Sequence, residues 1–185
     1  MMDFSKFKKL TIGGVELKQL FINGIRVWKA GYKNWVKYST EADGVTIYNG
    51  GLGYKDGCRI RSGGEEQSGN IGITVTGYIP LKNGETLRIY PPFAGQNTPN
   101  TINFYDASFK NLGQITDSGS AYGICSGKVS LYKTQVIDGV STLTLTSSHD
   151  PGIAFVRIGN ATIADYGSHI STGEDMIVTI NEEIE

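Results

Sequence analysis

Turn signals recur along this chain at intervals of about ten residues, and the runs between them are short and rich in β-branched residues. Gly13-Gly14, Asn23-Gly24, Lys82-Asn83-Gly84-Glu85 and Asp106-Ala107-Ser108-Phe109 are the clearest of these signals. No stretch of a dozen residues shows a 3.6-residue apolar period with capping residues at its ends, so long helices are excluded. The composition agrees: 25 glycines, 10% aromatic and 19% charged residues describe a β-protein and not a bundle or a disordered tail. At 185 residues the chain suits one domain plus an appendage.

Strands are expected at Val45–Tyr48 and Gly57–Ser62, flanking the glycine-rich loop Asn49–Gly53, and as one long strand over Ile71–Leu81. Further strands are expected at Thr86–Tyr90, Thr101–Tyr105, Lys110–Ile115, Lys128–Ile137, Ser141–Ser147, Ile153–Ile158 and Met176–Asn181. One short helix fits within Gln114–Ala121 or near Asp165. About ten strands need an architecture without long bare edges, and a jelly-roll-type two-sheet sandwich provides one. An immunoglobulin-type domain fits less well, because the body is too long and the Cys-Trp-Cys pattern is missing. The expected fold is therefore all-β, a jelly-roll sandwich over residues 34–185 preceded by a β-hairpin arm over residues 1–33.

The arm differs from the body in charge and in pattern. Residues 1–38 hold eight Lys or Arg against two acids, and residues 39–185 hold nine bases against sixteen acids. Ile12-Gly13-Gly14-Val15-Glu16-Leu17 recurs ten residues on as Ile22-Asn23-Gly24-Ile25-Arg26-Val27. Gly-Gly and Asn-Gly accept the positive φ of a type I′ turn, which predicts three short strands joined by two tight hairpins. Leu10, Ile12, Val15, Leu17, Leu20, Ile22, Ile25, Val27 and Trp28 then form one apolar face with little of its own to bury it. Such a meander is either the first sheet of the main domain or a docking segment for another protein. The bases alternate with apolar residues at strand spacing and are not bunched, which argues against a nucleic-acid partner.

Few residues carry chemistry. Cys58 and Cys125 lack the spacing of a zinc site or a disulfide scaffold, and no calcium loop motif is present, so neither metal nor cofactor is expected. The Asn49–Gly53 loop lacks the Gly-Lys-Ser/Thr of a phosphate loop. Ser147-Ser148-His149-Asp150 sets triad residue types side by side, where adjacency points them in different directions. Glu65, Glu66, Asp106 and Asp150 are the carboxylates a glycosidase would draw on, yet all lie in turn-like contexts. No apolar stretch approaches the length of a membrane span, and Met1–Lys6 has no apolar run of the kind a secretory leader carries, so neither insertion nor export is expected. Surface recognition remains: aromatic faces stack on sugar rings, and among the loop aromatics Tyr54, Phe93 and Tyr122 are the expected glycan contacts.

The stretch Leu10–Val15 with Phe21–Lys29 resembles the opening of tail- and baseplate-associated proteins from phages and prophages of Gram-positive, Clostridia-like bacteria. Gly57–Ser62, Val75–Leu81, Gly84–Ile89, Asn103–Asp106, Lys110–Gly113, Ile153–Ile158 and Val178–Ile184 are similar, in that order, to their jelly-roll, carbohydrate-binding-module-like domains. The resemblance implies a non-enzymatic virion protein, assembled in the host cytoplasm. Its arm would dock on the tail, baseplate or capsid surface, and its sandwich would contact host glycans or decorate the particle. It implies no catalytic residue. The implied partners are other virion proteins, a host surface glycan and further copies of the chain, most simply as a trimer. The alternative is a free bacterial carbohydrate-binding or polysaccharide-acting module.

Overall fold

In a computed structural model the described residues are 10–12, 15–17, 19–22, 25–29, 34–38, 53–69, 73–93, 100–161 and 176–184. The chain forms two compact units, Met1–Tyr32 and Lys33–Glu185.

The first unit contains β1 (Leu10–Ile12), β2 (Val15–Leu17), β3 (Gln19–Ile22) and β4 (Ile25–Lys29). β1 pairs antiparallel with β2, with Ile12 opposite Val15, and β3 pairs with β4, with Ile22 opposite Ile25. Two residues separate the strands of each pair, as the Gly-Gly and Asn-Gly signals require. The expected middle strand is corrected to two: among the described strands, β2 pairs with β1 and β3 with β4. Each two-residue connection sets the register of its own pair.

The first described elements of the second unit are Asn34 and the single-turn α1 (Trp35–Tyr38). Asn34 is the N-cap: its Oδ1 accepts the Val36 amide at 3.1 Å. The same oxygen accepts the Val178 amide at 3.1 Å, while Nδ2 donates to the Met176 carbonyl at 2.9 Å. One side chain thus starts the helix and ties it to β17 (Ile177–Ile180).

Two antiparallel sheets follow. The smaller runs β14 (Gln135–Ile137), β15 (Val140–Thr144), β10 (Thr86–Tyr90), β17. The larger runs β13 (Ala121–Gly123), β12 (Asn111–Thr116), β11 (Thr101–Tyr105), β16 (Phe155–Ala161), β8 (Ile73–Thr76), β5 (Tyr54–Asp56), with β9 (Ile79–Pro80) also on β16. Alternation directs Leu87, Ile89, Leu143 and Val178 from one sheet, and Ile102, Phe104, Ile115, Val156 and Ile158 from the other, into one core. A separate antiparallel pair, β6 (Cys58–Ile60) and β7 (Glu66–Ser68), supplies Cys58 and Ile60, which pack with Val75 of β8.

The expected strand Ile71–Leu81 is broken at a bulge. Val75 pairs with Gly159 and Ile79 with Val156, so Thr76, Gly77 and Tyr78 stand opposite only Arg157 and Ile158. The expected strand Lys128–Ile137 is corrected to α2 (Val129–Tyr132) followed by β14. Burial of Tyr132 overrides the strand propensity of the segment: its ring meets Phe104 edge-on at 5.2 Å, and its hydroxyl accepts the Asp150 amide at 3.2 Å. Within Gln114–Ala121 the chain is strand and turn, not helix. Gly113 faces Gly123, where a Cβ on either would run into the partner strand's backbone. The expected strand Val45–Tyr48, most of the Asn49–Gly53 loop and the expected helix near Asp165 lie outside the described residues.

Phe104 is fully buried between the sheets, and Phe104→Ala is expected to cost about 3–5 kcal/mol in denaturant unfolding, with the slope unchanged.

Candidate functional site

The bulge at Thr76–Tyr78 builds a site on the outer face of the larger sheet. At the bulge the Thr76 carbonyl accepts the Arg157 Nε at 3.0 Å. The guanidinium is almost fully buried and forms an ion pair with Glu66, Nη2 to Oε1 at 2.6 Å. Glu66 Oε2 lies 3.3 Å from Lys55 Nζ. Burial pulls the Arg157 guanidinium down to about 10, so it stays cationic at neutral pH.

Above Arg157 lies Tyr78, its ring centre 4.9 Å from the guanidinium carbon. Tyr78 meets Tyr105 edge-on at 4.8 Å and Phe109 at 4.9 Å, and Phe109 stacks on Phe155 at 4.8 Å. Tyr105 is buried, whereas Tyr78, Phe109 and Phe155 are half-buried. Phe109 ends the turn that Asp106 organises, Oδ1 of Asp106 accepting the amides of Ser108 and Lys110. Its φ of 61° is unusual for an aromatic residue, and the ring contacts offset the backbone strain. The exposed Arg59 and Arg61 of the neighbouring pair both donate to Gln67 Oε1, at 2.8 and 3.1 Å. The surface therefore offers aromatic faces beside fixed charged and amide groups, which suits hydroxylated rings.

Beneath the β6–β7 pair the same face carries a satisfied polar row. Gln114 Nε2 donates to the Ile60 carbonyl at 3.0 Å and to Asn103 Oδ1 at 2.9 Å, and Asn103 Nδ2 donates to Thr101 Oγ1 at 3.2 Å.

The sequence-expected glycan contacts do not converge. Tyr54 is corrected: it is 6% exposed and belongs to the core, so its ring faces no ligand. Phe93 is half-buried and, with Ile102, Ile115, Asp117, Lys133 and Thr134, lines a recess of about 10 Å³, room for roughly one water. Tyr122 is 47% exposed and pairs with Gln114, which places it on the outer face, opposite to the core-directed Tyr54. The rings that do cluster were not singled out in the sequence. The alternation Phe155-Val156-Arg157 puts Phe155 and Arg157 on one face, and that was the available signal; no local pattern announces Glu66 opposite Arg157. For the docking residues Leu10, Ile12, Val15, Leu17, Leu20, Ile22, Ile25, Val27 and Trp28 the structure describes only their places in β1–β4, with Val27 at a bulge between paired residues.

His149 is 4% exposed, and its bonds set its tautomer. Nδ1 accepts the Thr146 amide at 2.9 Å, so Nε2 carries the proton and donates to the Leu131 carbonyl at 2.9 Å. Both ring nitrogens are engaged with backbone. Asp150 Oδ1 accepts the Gly152 amide at 2.7 Å, and Glu65 is exposed. Burial pushes the Cys58 thiol up, with Glu66 adding to the shift, and pushes Cys125 up to about 12. Among the described residues no group of three or more His, Cys, Asp or Glu side chains could hold a metal ion, and no helix is long and apolar enough to cross a membrane. Comparison with protein-family models, with curated proteins and with solved structures finds no match for this chain.

Burial pushes the Asp117 carboxyl up to about 6, against the pull of the Ser118 amide, Asn100 and Lys133. Between about pH 4 and 6 the folded chain holds a proton that the unfolded chain has lost, so this group lowers stability as the pH rises through that window. Asp117→Asn is expected to raise the melting temperature at pH 7.5 and to leave it unchanged near pH 3.5. His149→Ala removes an acceptor and a donor from buried backbone groups, and is expected to cost about 1–3 kcal/mol in denaturant unfolding.

Proposed function

We propose that the chain is a non-enzymatic structural protein of a phage virion, with the Met1–Tyr32 unit as its docking segment and the sandwich as the displayed part. The observation that carries this reading is the division into a sandwich with its own core and a unit whose described strands form two short antiparallel pairs. Pairs of three to five residues bury too little to stand alone, so such a unit gains its stability from a partner surface. Other virion proteins of the tail, baseplate or capsid surface supply that partner. Many copies on one particle would turn a weak glycan contact into firm attachment.

Host glycan contact is assigned to the outer-face surface of Tyr78, Phe109 and Phe155, with Tyr122 on the same face of the sheet. The alternative, a free carbohydrate-binding module, shares this surface and differs in having no docking role for residues 1–32.

Phe109→Gly separates binding from folding, because glycine relieves the positive φ while removing the ring. Labelled full-length protein is expected to bind intact Gram-positive cells or their isolated wall polysaccharide, and Phe109→Gly and Tyr122→Ala are each expected to weaken binding roughly three- to tenfold with the melting temperature little changed. Release of reducing sugar from the same material would overturn the non-enzymatic reading. Equal binding by the variants would overturn the assigned surface. For the docking segment, the paired substitution Leu20→Lys, Ile25→Lys is expected to abolish incorporation into particles while cell binding persists; unchanged incorporation would favour the free module.

A further inference from the structure

Among the described strands the smaller sheet ends in β14, and the outer edge of this strand has an unusual character. Edge strands are commonly protected by charge, proline or a cover. All three residues of β14 are exposed, and Val136 and Ile137 are 60% and 51% exposed, the largest values among the exposed large apolar side chains described. Asp138 and Gly139 have φ of 50° and 77°, which makes the β14–β15 connection a type I′ turn closed by Ile137 and Val140. The closing pair of such a turn exchanges both backbone hydrogen bonds. Ile137 and Gln135 therefore direct their N–H and C=O groups toward β15. Val136 directs its own toward the open edge.

We propose that this edge pairs with the same edge of a second copy of the chain, antiparallel about a twofold axis at Val136. Charge selects the occupant. Lys133 stands before the strand and Asp138 after it, both exposed. Antiparallel self-pairing brings the basic end of each strand to the acidic end of the other. With Val136 opposite Val136 of the second copy, Gln135 lies opposite Ile137, and Thr134 opposite Asp138. Lys133 then falls one position from Asp138 of the second copy, twice by symmetry. A register shifted by two toward the N-terminus would set Asp138 against Tyr132, which lies in α2, so the strand length favours the Val136-centred register. The contact is small, and association is concentration-dependent and suited to repeated use on a crowded surface.

Light scattering on the full chain at a low and an about tenfold higher concentration tests this. The expected result is a shift from monomer toward dimer. Val136→Pro removes an edge-facing donor that β15 does not use, and is expected to remain monomeric at both concentrations. Asp138→Asn keeps a turn-competent Asn-Gly pair, and is expected to weaken the dimer roughly threefold or more, with less dependence on salt. Circular dichroism and melting of each variant confirm that the sandwich persists; if Val136→Pro unfolds, Asp138→Asn and Lys133→Gln carry the test. A monomer at both concentrations, a trimer, or an oligomer that survives these substitutions would overturn the proposal.

Discussion

The burial of Arg157 organises one whole side of this protein. A desolvated guanidinium is costly unless its charge is paired and its N–H groups are bonded. Here the partners come from two places distant in sequence: the Thr76 carbonyl at the β8–β9 bulge, and Glu66 on the separate β6–β7 pair. Removing either would leave a buried cation short of a partner, so the bulge, the covering pair and the ion pair stand or fall together. Tyr78 sits over the same group, and through Tyr78 the constraint reaches Phe109 and Phe155. The half-buried ring cluster is thus a consequence of how one buried charge is satisfied.

The buried polar row of Asn103 and Gln114 follows the same logic. β11 is buried along its whole length, yet only Ile102 and Phe104 face the apolar core. Asn103 lies on the other face, where Gln114 closes a chain of bonds to the backbone of β6. A strand buried on both sides usually reads as continuously apolar. The mixed pattern here records that one cover is a hydrophobic sheet and the other a hydrogen-bonding pair of strands.

Local features were therefore legible in the sequence, and the covering layer was not. Thr86–Tyr90 and Thr101–Tyr105 are strands with the expected bounds, because alternation and flanking turn residues act within a few positions. The all-β class follows from the same signals. Tyr54 was misjudged because a tyrosine beside a glycine-rich loop looks exposed until its strand pairs with β8 and turns the ring inward. Val129–Tyr132 reads as strand by propensity, and its helix has no side-chain cap to announce it. What fixes that turn is Tyr132 packed on Phe104 and on the edge of His149, residues well apart in sequence. The Glu66–Arg157 pair spans 91 positions and leaves no local trace.

The two edges of the smaller sheet show how such a fold separates stability from association. β17 has β10 beside it, and Asn34 bonds the Val178 amide and the Met176 carbonyl, so these two backbone groups are occupied from within the chain. β14 has only β15 as a neighbour among the described strands, and the type I′ turn directs Val136 outward. Its side chains take no part in the buried core cluster. A strand that adds so little to the core can be altered with small effect on folding, whereas its backbone geometry fixes which residue meets an incoming strand. Substitutions at Val136 and Asp138 therefore act on pairing nearly independently of the core, and substitutions at Arg157 or Glu66 act through it.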